Sequence, residues 1–305
     1  MPSARAFWTV GPGRGEIREE SVAPPRAGEV LVETLYSGIS RGTESLVFAG
    51  RVPPADYARM RAPHMAGAFP FPVKYGYLNV GRVVATGEVG FCLYPHQTSY
   101  VVPAEDLIVL PAGVEPARAV LAGNVETAIN CIWDAEVRVG DRVLVVGAGV
   151  VGSLVAYVAS HIAGCQVTLV DVMPERARVA AALGVAFATP DSARKDADVI
   201  VHASGAPAGL ATAVSLARSE ATVVELSCYG EAAPTAARSI RSSQVGRLSP
   251  AQQARWTPHR RLALAVSLLT DPALDVLIDG EVAFEDLPKV LPGLQSALCR
   301  RVRYH

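Results

Sequence analysis

The sequence has few cysteines, and none of them belongs to a recognisable pair. The 305 residues include five, each more than thirty residues from the next: Cys92, Cys131, Cys165, Cys228 and Cys299. An odd and scattered set argues against a disulfide framework, and the lack of a C-x-x-C pair gives no sign of a zinc-binding cysteine motif. Because this pattern is typical of a reducing compartment, we expect a cytoplasmic protein.

The sequence also lacks an excess of charge and an apolar leader. Its 28 basic and 29 acidic residues give a formal net charge of −1. Nucleic acids and acidic membrane surfaces select for clustered positive charge, so neither is expected as a partner. The first residues, "MPSARAFWTVGPGRGE", contain no apolar core of signal-peptide length. Secretion is therefore not expected.

One long run has no charged residue except a histidine. Residues 143–170 read "VLVVGAGVVGSLVAYVASHIAGCQVTLV", which is long enough to span a bilayer. The run is interrupted, however, by a glycine cluster and by Gly164, which divide it into a strand, a turn, a helix and a second strand. This order predicts a βαβ unit that its own fold buries, so no membrane association is expected.

The predicted secondary structure changes part-way along the chain. The length suggests about two domains of roughly 150 residues each. Residues 1–110 carry short β-like runs broken by Gly and Pro, which is typical of a mostly β module. From Glu126 helical and strand-like segments alternate: "ETAINCIWDAEV", "DRVLVVG", "PERARVAAALG", "DADVIVHAS", "PAGLATAVSLARS" and "ATVVELS". This alternation predicts an α/β domain with a doubly wound parallel sheet.

The strongest motif lies between the first predicted strand and helix of this α/β region. Gly147, Gly149 and Gly152 fit G-x-G-x-x-G, a turn that lets backbone N–H groups approach a pyrophosphate. Asp171 follows the next strand, where a carboxylate accepts hydrogen bonds from ribose hydroxyls and repels a 2′-phosphate. We therefore expect NAD rather than NADP, although the nearby Arg176 could pair with a phosphate. The alternative is a glycine-rich turn that binds no dinucleotide.

The whole chain resembles the medium-chain dehydrogenase/reductase superfamily, which includes the zinc-type alcohol dehydrogenases. The segments that carry the resemblance are "VLVETLYSGISRGTES", "VKYGYLNVGRVV", "QTSYVVPAEDLIVLPAGV", "GDRVLVVGAGVVG" and "RSSQVG". It implies a GroES-like β-barrel catalytic domain (1–125), a Rossmann NAD-binding domain (126–246) and a C-terminal segment (247–305) that returns to the catalytic domain. It also implies a nicotinamide in the cleft between domains, a substrate-facing loop "YSGISRGTES" and a homodimer. The cofactor-binding residues implied in this way, besides the three glycines and Asp171, are Thr127, Val150, Val151, Arg176, Ser204 and Gly205.

The residues that bind catalytic zinc in this superfamily are missing. Ser40 stands where the zinc-using members have a cysteine, and their Gly-His-Glu motif matches Gly76-Tyr77-Leu78. The later ligand falls near Gly123, and the four-cysteine structural zinc lobe is absent as well. Zinc sites need thiolate, imidazole or carboxylate donors. We therefore expect hydride transfer without catalytic zinc.

Without a metal, side chains must polarise the substrate oxygen and handle its proton. Ser40 or Thr43 is predicted to hydrogen-bond that oxygen, and Tyr77 or Lys74 to act in proton transfer. Glu44 is a further catalytic candidate, and its structural alternative is a salt bridge with Arg41 or Arg51. For His96 a structural role is expected. Tyr75, Asn124 and Glu126 are polar residues of the same aligned segments.

The string S-G-I-S-x-G-T-E is also similar to that of bacteriochlorophyllide dehydrogenases, which supports chemistry on a secondary alcohol or ketone. The predicted function is an NAD(H)-dependent oxidoreductase that interconverts an alcohol and a ketone or aldehyde. A zinc-free enoyl or quinone reductase and a non-catalytic nucleotide-binding relative are the alternatives. The segment "YGEAAPTAARSIRSSQ" is shorter than the last Rossmann crossover of the family.

Overall fold

The computed structural model describes residues 3–227, 240–294 and 297–304. Cys228 and most of the shortened crossover segment lie outside this described part. Within it, the strands are β1 Ser3–Gly11, β2 Arg14–Ser21, β3 Glu29–Ile39, β4 Ala66–Gly67, β5 Val73–Lys74, β6 Asn79–Val83, β7 Val89–Cys92, β8 Ser99–Pro103, β9 Ile108–Val109, β10 Arg142–Val146, β11 Gln166–Val170, β12 Ala186–Ala188, β13 Ala197–His202, β14 Ala217–Glu225, β15 Ile240–Ser242, β16 Ile278–Ala283 and β17 Cys299–Arg303.

The α-helices are fewer and mostly short. They are α1 Arg41–Phe48, α2 Pro116–Ala119, α3 Ala122–Ala135, α4 Val150–Ser160, α5 Ala177–Ala182, α6 Pro207–Leu216, α7 Pro258–Ser267 and α8 Leu287–Val290. Short 3-10 turns connect several of them. Among the described residues, none of these helices has the length and apolar character that crossing a membrane would need.

Contacts group the chain into two units. Unit 1 comprises Met1–Gly123, Leu262–Pro272 and Ile278–His305, and unit 2 comprises Asn124–Arg261 and Ala273–Leu277. The sequence predicted domain boundaries after residues 125 and 246. In the structure, residues 247–261 group with unit 2 and not with the C-terminal segment. A buried contact accounts for this grouping: the Arg261 guanidinium donates to a carboxylate oxygen of Glu126 at 3.0 Å and to the carbonyl of Val245 at 2.6 Å.

Unit 1 is built from two sheets. One has the order β2-β1-β5-β4, and the other has the order β16-β17-β3-β6-β7-β9 with β8 also paired to β3. Strand β3 is the centre of the larger sheet, because β6, β8 and β17 all pair with it in antiparallel register. The C-terminal strand β17 therefore completes a sheet that begins near the N-terminus. A core that includes Phe7, Ile39, Phe48, Phe284 and Val302 is buried in this unit.

Unit 2 contains a six-stranded sheet of the doubly wound type. Its order is β12-β11-β10-β13-β14-β15, and all of its adjacent strands are parallel. The strand order reverses between β10 and β13, which makes the loops after these two strands the topological switch point. Strand β10 is apolar over most of its length because helices cover such sheets on both faces. The α/β prediction with a Rossmann sheet is confirmed.

Two local predictions differ from the structure. The string "YSGISRGTES" is not one loop, because β3 extends to Ile39 and helix α1 begins at Arg41, which leaves Ser40 as the junction. The predicted helix "PAGLATAVSLARS" ends at Leu216, and Ala217 already belongs to β14. Pairing of Ala217 with Ala197 of β13 supplies sheet hydrogen bonds there, and such tertiary contacts outweigh local helix propensity.

Candidate functional site

The glycine turn of unit 2 lies directly after β10 and has no room for a side chain at Gly147 or Gly152. Gly147 has a φ of 111°, a conformation that favours glycine, and a Cβ atom there would come within 2.6 Å of the Ser204 backbone nitrogen. A Cβ atom at Gly152 would collide with the carbonyl oxygen of Gly147. The turn therefore requires glycine at both positions, as the dinucleotide motif predicts.

Helix α4 starts from this turn with Gly149 as its N-cap residue. Val150, Val151 and Gly152 form its first turn, whose backbone N–H groups have no partner within the helix. Partial positive charge at such an N-terminus favours a phosphate or pyrophosphate. The geometry thus fits a dinucleotide pyrophosphate.

The carboxylate of Asp171 lies at the end of β11 and contacts the glycine turn. One oxygen accepts a hydrogen bond from the Ala148 N–H at 2.6 Å, and the other accepts one from the Met173 N–H at 2.9 Å. The side chain is only partly buried. It therefore fixes the turn and still presents a carboxylate at the edge of the sheet, where ribose hydroxyls could donate to it.

The other residues assigned to the cofactor lie at different points of unit 2. Ser204 and Gly205 follow β13, next to Gly147 and on the other side of β10 from Asp171. Arg176 is 7% exposed in the short 3-10 turn after Asp171, and Thr127 is half-buried in α3. The glycine turn, the N-terminus of α4, Asp171 and the Ser204–Gly205 turn thus surround the switch point, and the residues present fit a dinucleotide.

In unit 1 the structure brings Ser40 and Tyr77 together. The Tyr77 hydroxyl donates to the Ser40 Oγ at 2.7 Å, although the two residues are 37 positions apart. The Ser40 side chain has no other hydrogen-bond partner in the described part of the chain, so its own hydroxyl hydrogen is available to a bound oxygen. The pair can therefore pass a proton from Tyr77 through Ser40.

Glu44 lies in the first turn of α1 and is buried against His96. One carboxylate oxygen is 2.8 Å from His96 Nε2, and the other accepts the backbone N–H of Ser40 at 2.7 Å. Glu44 therefore pairs with His96. Because a carboxylate only accepts, His96 Nε2 carries the hydrogen.

A hydrogen-bond chain continues from His96 into the interior of unit 1. The Ser37 hydroxyl lies 2.7 Å from His96 Nδ1 and 2.9 Å from the Tyr304 hydroxyl. Burial raises the pKa of Tyr304 well above its usual range, so this phenol keeps its proton. The chain reaches Ser40 only through a backbone N–H, and it therefore positions the residue rather than conducting a proton to it.

Sequence reasoning gave His96 a structural role but did not find its partner. A buried histidine that follows a strand is a weak signal on its own. The long range of the contact, 52 positions between Glu44 and His96, left no local pattern to detect.

Of the remaining catalytic candidates of unit 1, Lys74 has contacts of its own. Lys74 is buried, and its ammonium group donates to Glu20 and to the side-chain oxygen of Gln97, each at 2.6 Å. Thr43 is half-buried in α1, on the turn that begins at Ser40. The structure therefore brings Ser40, Glu44 and Tyr77 into one hydrogen-bonded group and places Lys74 in a separate ion pair.

One cavity of unit 1 is lined by other residues. Its volume is about 410 Å³. It is lined by Leu35, Tyr36, Arg82, Glu115, Pro116, Ala117 and Arg303. None of the sequence-predicted catalytic residues lines this cavity. The candidate catalytic site is therefore the hydrogen-bonded group of Ser40, Glu44 and Tyr77.

The donor set at the expected zinc positions does not fit zinc. Ser40 and Tyr77 offer hydroxyl groups that bond to each other, and a Cβ atom at Gly123 would meet Leu78. Zinc in proteins binds thiolate, imidazole or carboxylate. In residues 3–227, 240–294 and 297–304, no three His, Cys, Asp or Glu side chains are grouped as a metal ion would require.

Comparison with known proteins starts from the sequence. No protein-family model matches the chain. A 2-dehydro-3-deoxy-L-galactonate 5-dehydrogenase of Pseudoalteromonas atlantica is 26% identical over 149 residues, which cover 45% of this chain and 43% of that protein. A 2-desacetyl-2-hydroxyethyl bacteriochlorophyllide A dehydrogenase of Rhodobacter capsulatus is 29% identical over 205 residues, or 60% of each chain. The chain therefore matches less than two thirds of the length of these relatives.

Solved structures match over the full length. A short chain alcohol dehydrogenase of Escherichia coli in complex with NADH has a TM-score of 0.78 at 17% identity and covers 99% of both chains. A dehydrogenase of Sinorhizobium meliloti bound to NADP has a TM-score of 0.80 at 16% identity and covers 100% of both. The chain has the medium-chain dehydrogenase/reductase fold. The resemblance read from the sequence is confirmed, and the sequence relatives are dehydrogenases that include bacteriochlorophyllide dehydrogenases.

Proposed function

We propose that the protein is an NAD(H)-dependent oxidoreductase that interconverts a secondary alcohol and a ketone without catalytic zinc. The observation that carries this proposal is the Asp171 carboxylate, which is hydrogen-bonded to the glycine turn at the switch point of the parallel sheet. Dinucleotides bind such folds in the crevice at the carboxyl ends of the strands. The names of the sequence relatives, which are dehydrogenases, support the same class of reaction.

The preference for NAD follows from charge. A carboxylate at the end of β11 accepts hydrogen bonds from ribose hydroxyls but repels the 2′-phosphate of NADP. Solved structures with this fold carry NADH in one case and NADP in another, so the fold alone supports either cofactor. The assignment to NAD rests on Asp171.

In unit 1, Ser40 and Tyr77 are proposed to act on the substrate oxygen. During ketone reduction, the Ser40 hydroxyl donates its proton to the oxygen, and the Tyr77 hydroxyl replaces that proton through the 2.7 Å hydrogen bond. The half-buried Tyr77 then takes a proton from solvent. During alcohol oxidation the two protons move in the opposite direction. The bound nicotinamide supplies or accepts the hydride at the carbon. Tyr77 suits this proton transfer better than Lys74, because Glu20 and Gln97 hold the Lys74 ammonium group.

Glu44 and Thr43 have supporting parts in this proposal. Glu44 holds the Ser40 backbone through its N–H and is itself fixed by His96. Thr43 lies one helical turn along α1 from Ser40 and is assigned to orient the substrate oxygen. Preorganised donors of this kind stabilise the charge that develops on an oxygen during hydride transfer.

Titration with both reduced cofactors tests the proposal. We expect NADH to quench or shift protein fluorescence with a lower Kd than NADPH, and we expect Asp171→Ser to narrow the difference. A screen of secondary alcohols with NAD then measures turnover. Equal or tighter binding of NADPH would overturn the NAD assignment, and NADH binding without turnover of any alcohol or ketone would favour a non-catalytic relative.

A further inference from the structure

A second histidine–carboxylate pair lies at the carboxyl edge of the parallel sheet in unit 2. His202 ends β13 and Glu225 ends β14, and the two residues are direct neighbours in the register of the strands. His202 Nδ1 lies 2.8 Å from one carboxylate oxygen of Glu225 and 3.0 Å from the other. The imidazole is fully buried. Because a carboxylate only accepts, Nδ1 carries a hydrogen.

The other ring nitrogen of His202 fixes the turn that follows β13. Nε2 lies 2.6 Å from the Ser204 hydroxyl, and the same oxygen accepts the Ala206 N–H at 3.2 Å. Gly209 leaves the space that this hydroxyl occupies, since a Cβ atom there would collide with it. The Ser204 side chain therefore points into the protein and holds the backbone of the turn that follows β13.

Glu225 ties the loop after β14 to the same turn. It accepts the Ser227 N–H at 2.6 Å, and the Ser227 hydroxyl accepts the Gly205 N–H at 3.0 Å. The loops after β13 and β14 are thus joined through one histidine, one glutamate and two serines. Backbone hydrogen bonds hold the first residue of each loop, from the Leu226 N–H to the His202 carbonyl and from the Ala203 N–H to the Val146 carbonyl. The side chains of the cluster hold the residues that follow.

The place of this cluster in the sheet indicates what it positions. Asp171 lies at the end of β11, on one side of β10, and the Ser204–Gly205 turn follows β13, on the other side. If Asp171 receives the adenosine ribose and the glycine turn receives the pyrophosphate, the second half of a dinucleotide extends over β13. The Ser204–Gly205 turn is then the wall that this nicotinamide half meets.

We propose that His202 and Glu225 are positioning residues that hold the Ser204–Gly205 turn in the shape that binds the nicotinamide half of the cofactor, an inference that rests on the proposed dinucleotide function. They do not touch the cofactor themselves. Their action passes through Ser204 and Ser227, and it leaves the adenosine half unaffected.

The test compares the whole cofactor with a fragment of it. Glu225→Gln puts an NH2 donor in place of one carboxylate oxygen at nearly constant volume. In one orientation of the amide this donor faces the His202 Nδ1–H, and in the other it faces the Ser227 N–H. We expect the Kd for NADH to rise by about tenfold, as the loss of a hydrogen bond to a charged group predicts. The Kd for ADP, which has no nicotinamide half, should change by less than about twofold. Fluorescence titration measures NADH, and calorimetry measures ADP.

Two further variants make the result specific. Glu220→Gln introduces the same chemical change at an exposed position of β14 and should leave both affinities as they are. Ser204→Ala should weaken NADH as Glu225→Gln does, and the double variant should be little weaker than either single one. Such non-additivity is expected when two residues act through one contact, and a general loss of structure would not produce it.

The outcomes separate this inference from the proposed function. If the unmodified protein binds neither NADH nor ADP, the dinucleotide function fails and the inference fails with it. If the unmodified protein binds NADH and Glu225→Gln binds it equally well, only the inference is overturned. Equal losses for NADH and ADP would also overturn it, because the pair would then support unit 2 as a whole. If Glu225→Gln does not fold, Ser204→Ala must show the same result, a higher Kd for NADH with a nearly unchanged Kd for ADP.

Discussion

The two units contain the same chemical pair in two different surroundings. In unit 1 the pair is Glu44 and His96, and in unit 2 it is Glu225 and His202, with 2.8 Å between ring nitrogen and carboxylate oxygen in both. The Glu44 side chain is 4% exposed and that of Glu225 is 13% exposed. The remaining hydrogen bonds of the unit 1 pair go to a strand residue and a helix N-terminus, whereas those of the unit 2 pair go to loops.

The difference in burial between the two pairs indicates which of them contributes more to stability and which more to function. A buried hydrogen-bonded pair that loses one partner leaves a polar group that water cannot reach, and this is costly. A pair at the edge of a sheet loses less, because water can replace part of what is removed. We therefore infer that the unit 1 pair mainly holds the fold around Ser40, and that the unit 2 pair mainly holds loops in a binding shape.

The largest effect is expected for Glu44→Ala. It leaves His96 Nε2 and the Ser40 N–H without an acceptor inside unit 1, so the free energy of unfolding should fall by about 3–5 kcal/mol. Glu225→Ala should cost less, about 1–3 kcal/mol, because it is closer to solvent. Urea denaturation followed by circular dichroism measures both values.

A matched control separates burial from the loss of a carboxylate. Glu285 pairs with Arg5 at 2.8 Å, with side chains 52% and 44% exposed. Glu285→Ala should change the free energy of unfolding by only about 0–1 kcal/mol, as is usual for exposed pairs. If Glu225→Ala proved more damaging than Glu44→Ala, the contrast between the two units would be wrong.

The next effect concerns turnover rather than stability. Ser40→Ala and Tyr77→Phe each remove one hydroxyl of the proposed proton path, so kcat/KM on an alcohol substrate should fall by about 10²-fold. Thr43→Val should lower kcat/KM in the same direction. NADH affinity should stay unchanged in all three variants, because the residues assigned to the cofactor lie in unit 2.

Tyr57→Phe is the control for this series, since it removes a phenol hydroxyl from unit 1 at a position outside the hydrogen-bonded group. Full activity in Ser40→Ala and Tyr77→Phe would remove both residues from the reaction. A parallel loss of NADH binding would show instead that these side chains affect the whole molecule.

The sequence predicted those parts of the fold that depend on local patterns. The spacing of three glycines after a predicted strand indicates a turn at Gly147, Gly149 and Gly152. A run of apolar residues predicts the strand that Asp171 follows. The parallel sheet and the glycine turn were therefore predictable. No local pattern predicts the Ser40–Tyr77 contact, because the pairing of β3 with β6 brings these segments together. The family resemblance alone assigned both residues to one site.

The two histidine pairs show the same limit more sharply. His202 and Glu225 are 23 positions apart and meet only because β13 and β14 pair in one particular register. A shift of the register by one residue would turn their side chains to opposite faces. Neither histidine has a neighbour in the sequence that identifies its partner, so no spacing rule could have found either pair.

Two helical glycines differ in the space around them. Gly42 lies in α1, two residues before Glu44, and a Cβ atom there would meet no atom within 4 Å. Gly209 lies in α6 beside the unit 2 pair, and a Cβ atom there would collide with the Ser204 hydroxyl and approach His202 Nε2 to 2.8 Å. In a helix alanine is better than glycine by up to about 1 kcal/mol. Gly42→Ala should therefore stabilise the protein slightly.

Gly209→Ala should do the opposite. The added methyl group must displace the Ser204 hydroxyl from His202, and overpacking of this kind costs about 1–3 kcal/mol, which outweighs the gain in helix propensity. Thermal unfolding compares the two variants, and NADH titration should show weaker binding only for Gly209→Ala. Equal stabilisation and equal NADH binding in both variants would contradict this prediction. The contact between His202 and Ser204 would then not position the turn, and the two histidine–glutamate pairs would not differ as their surroundings suggest.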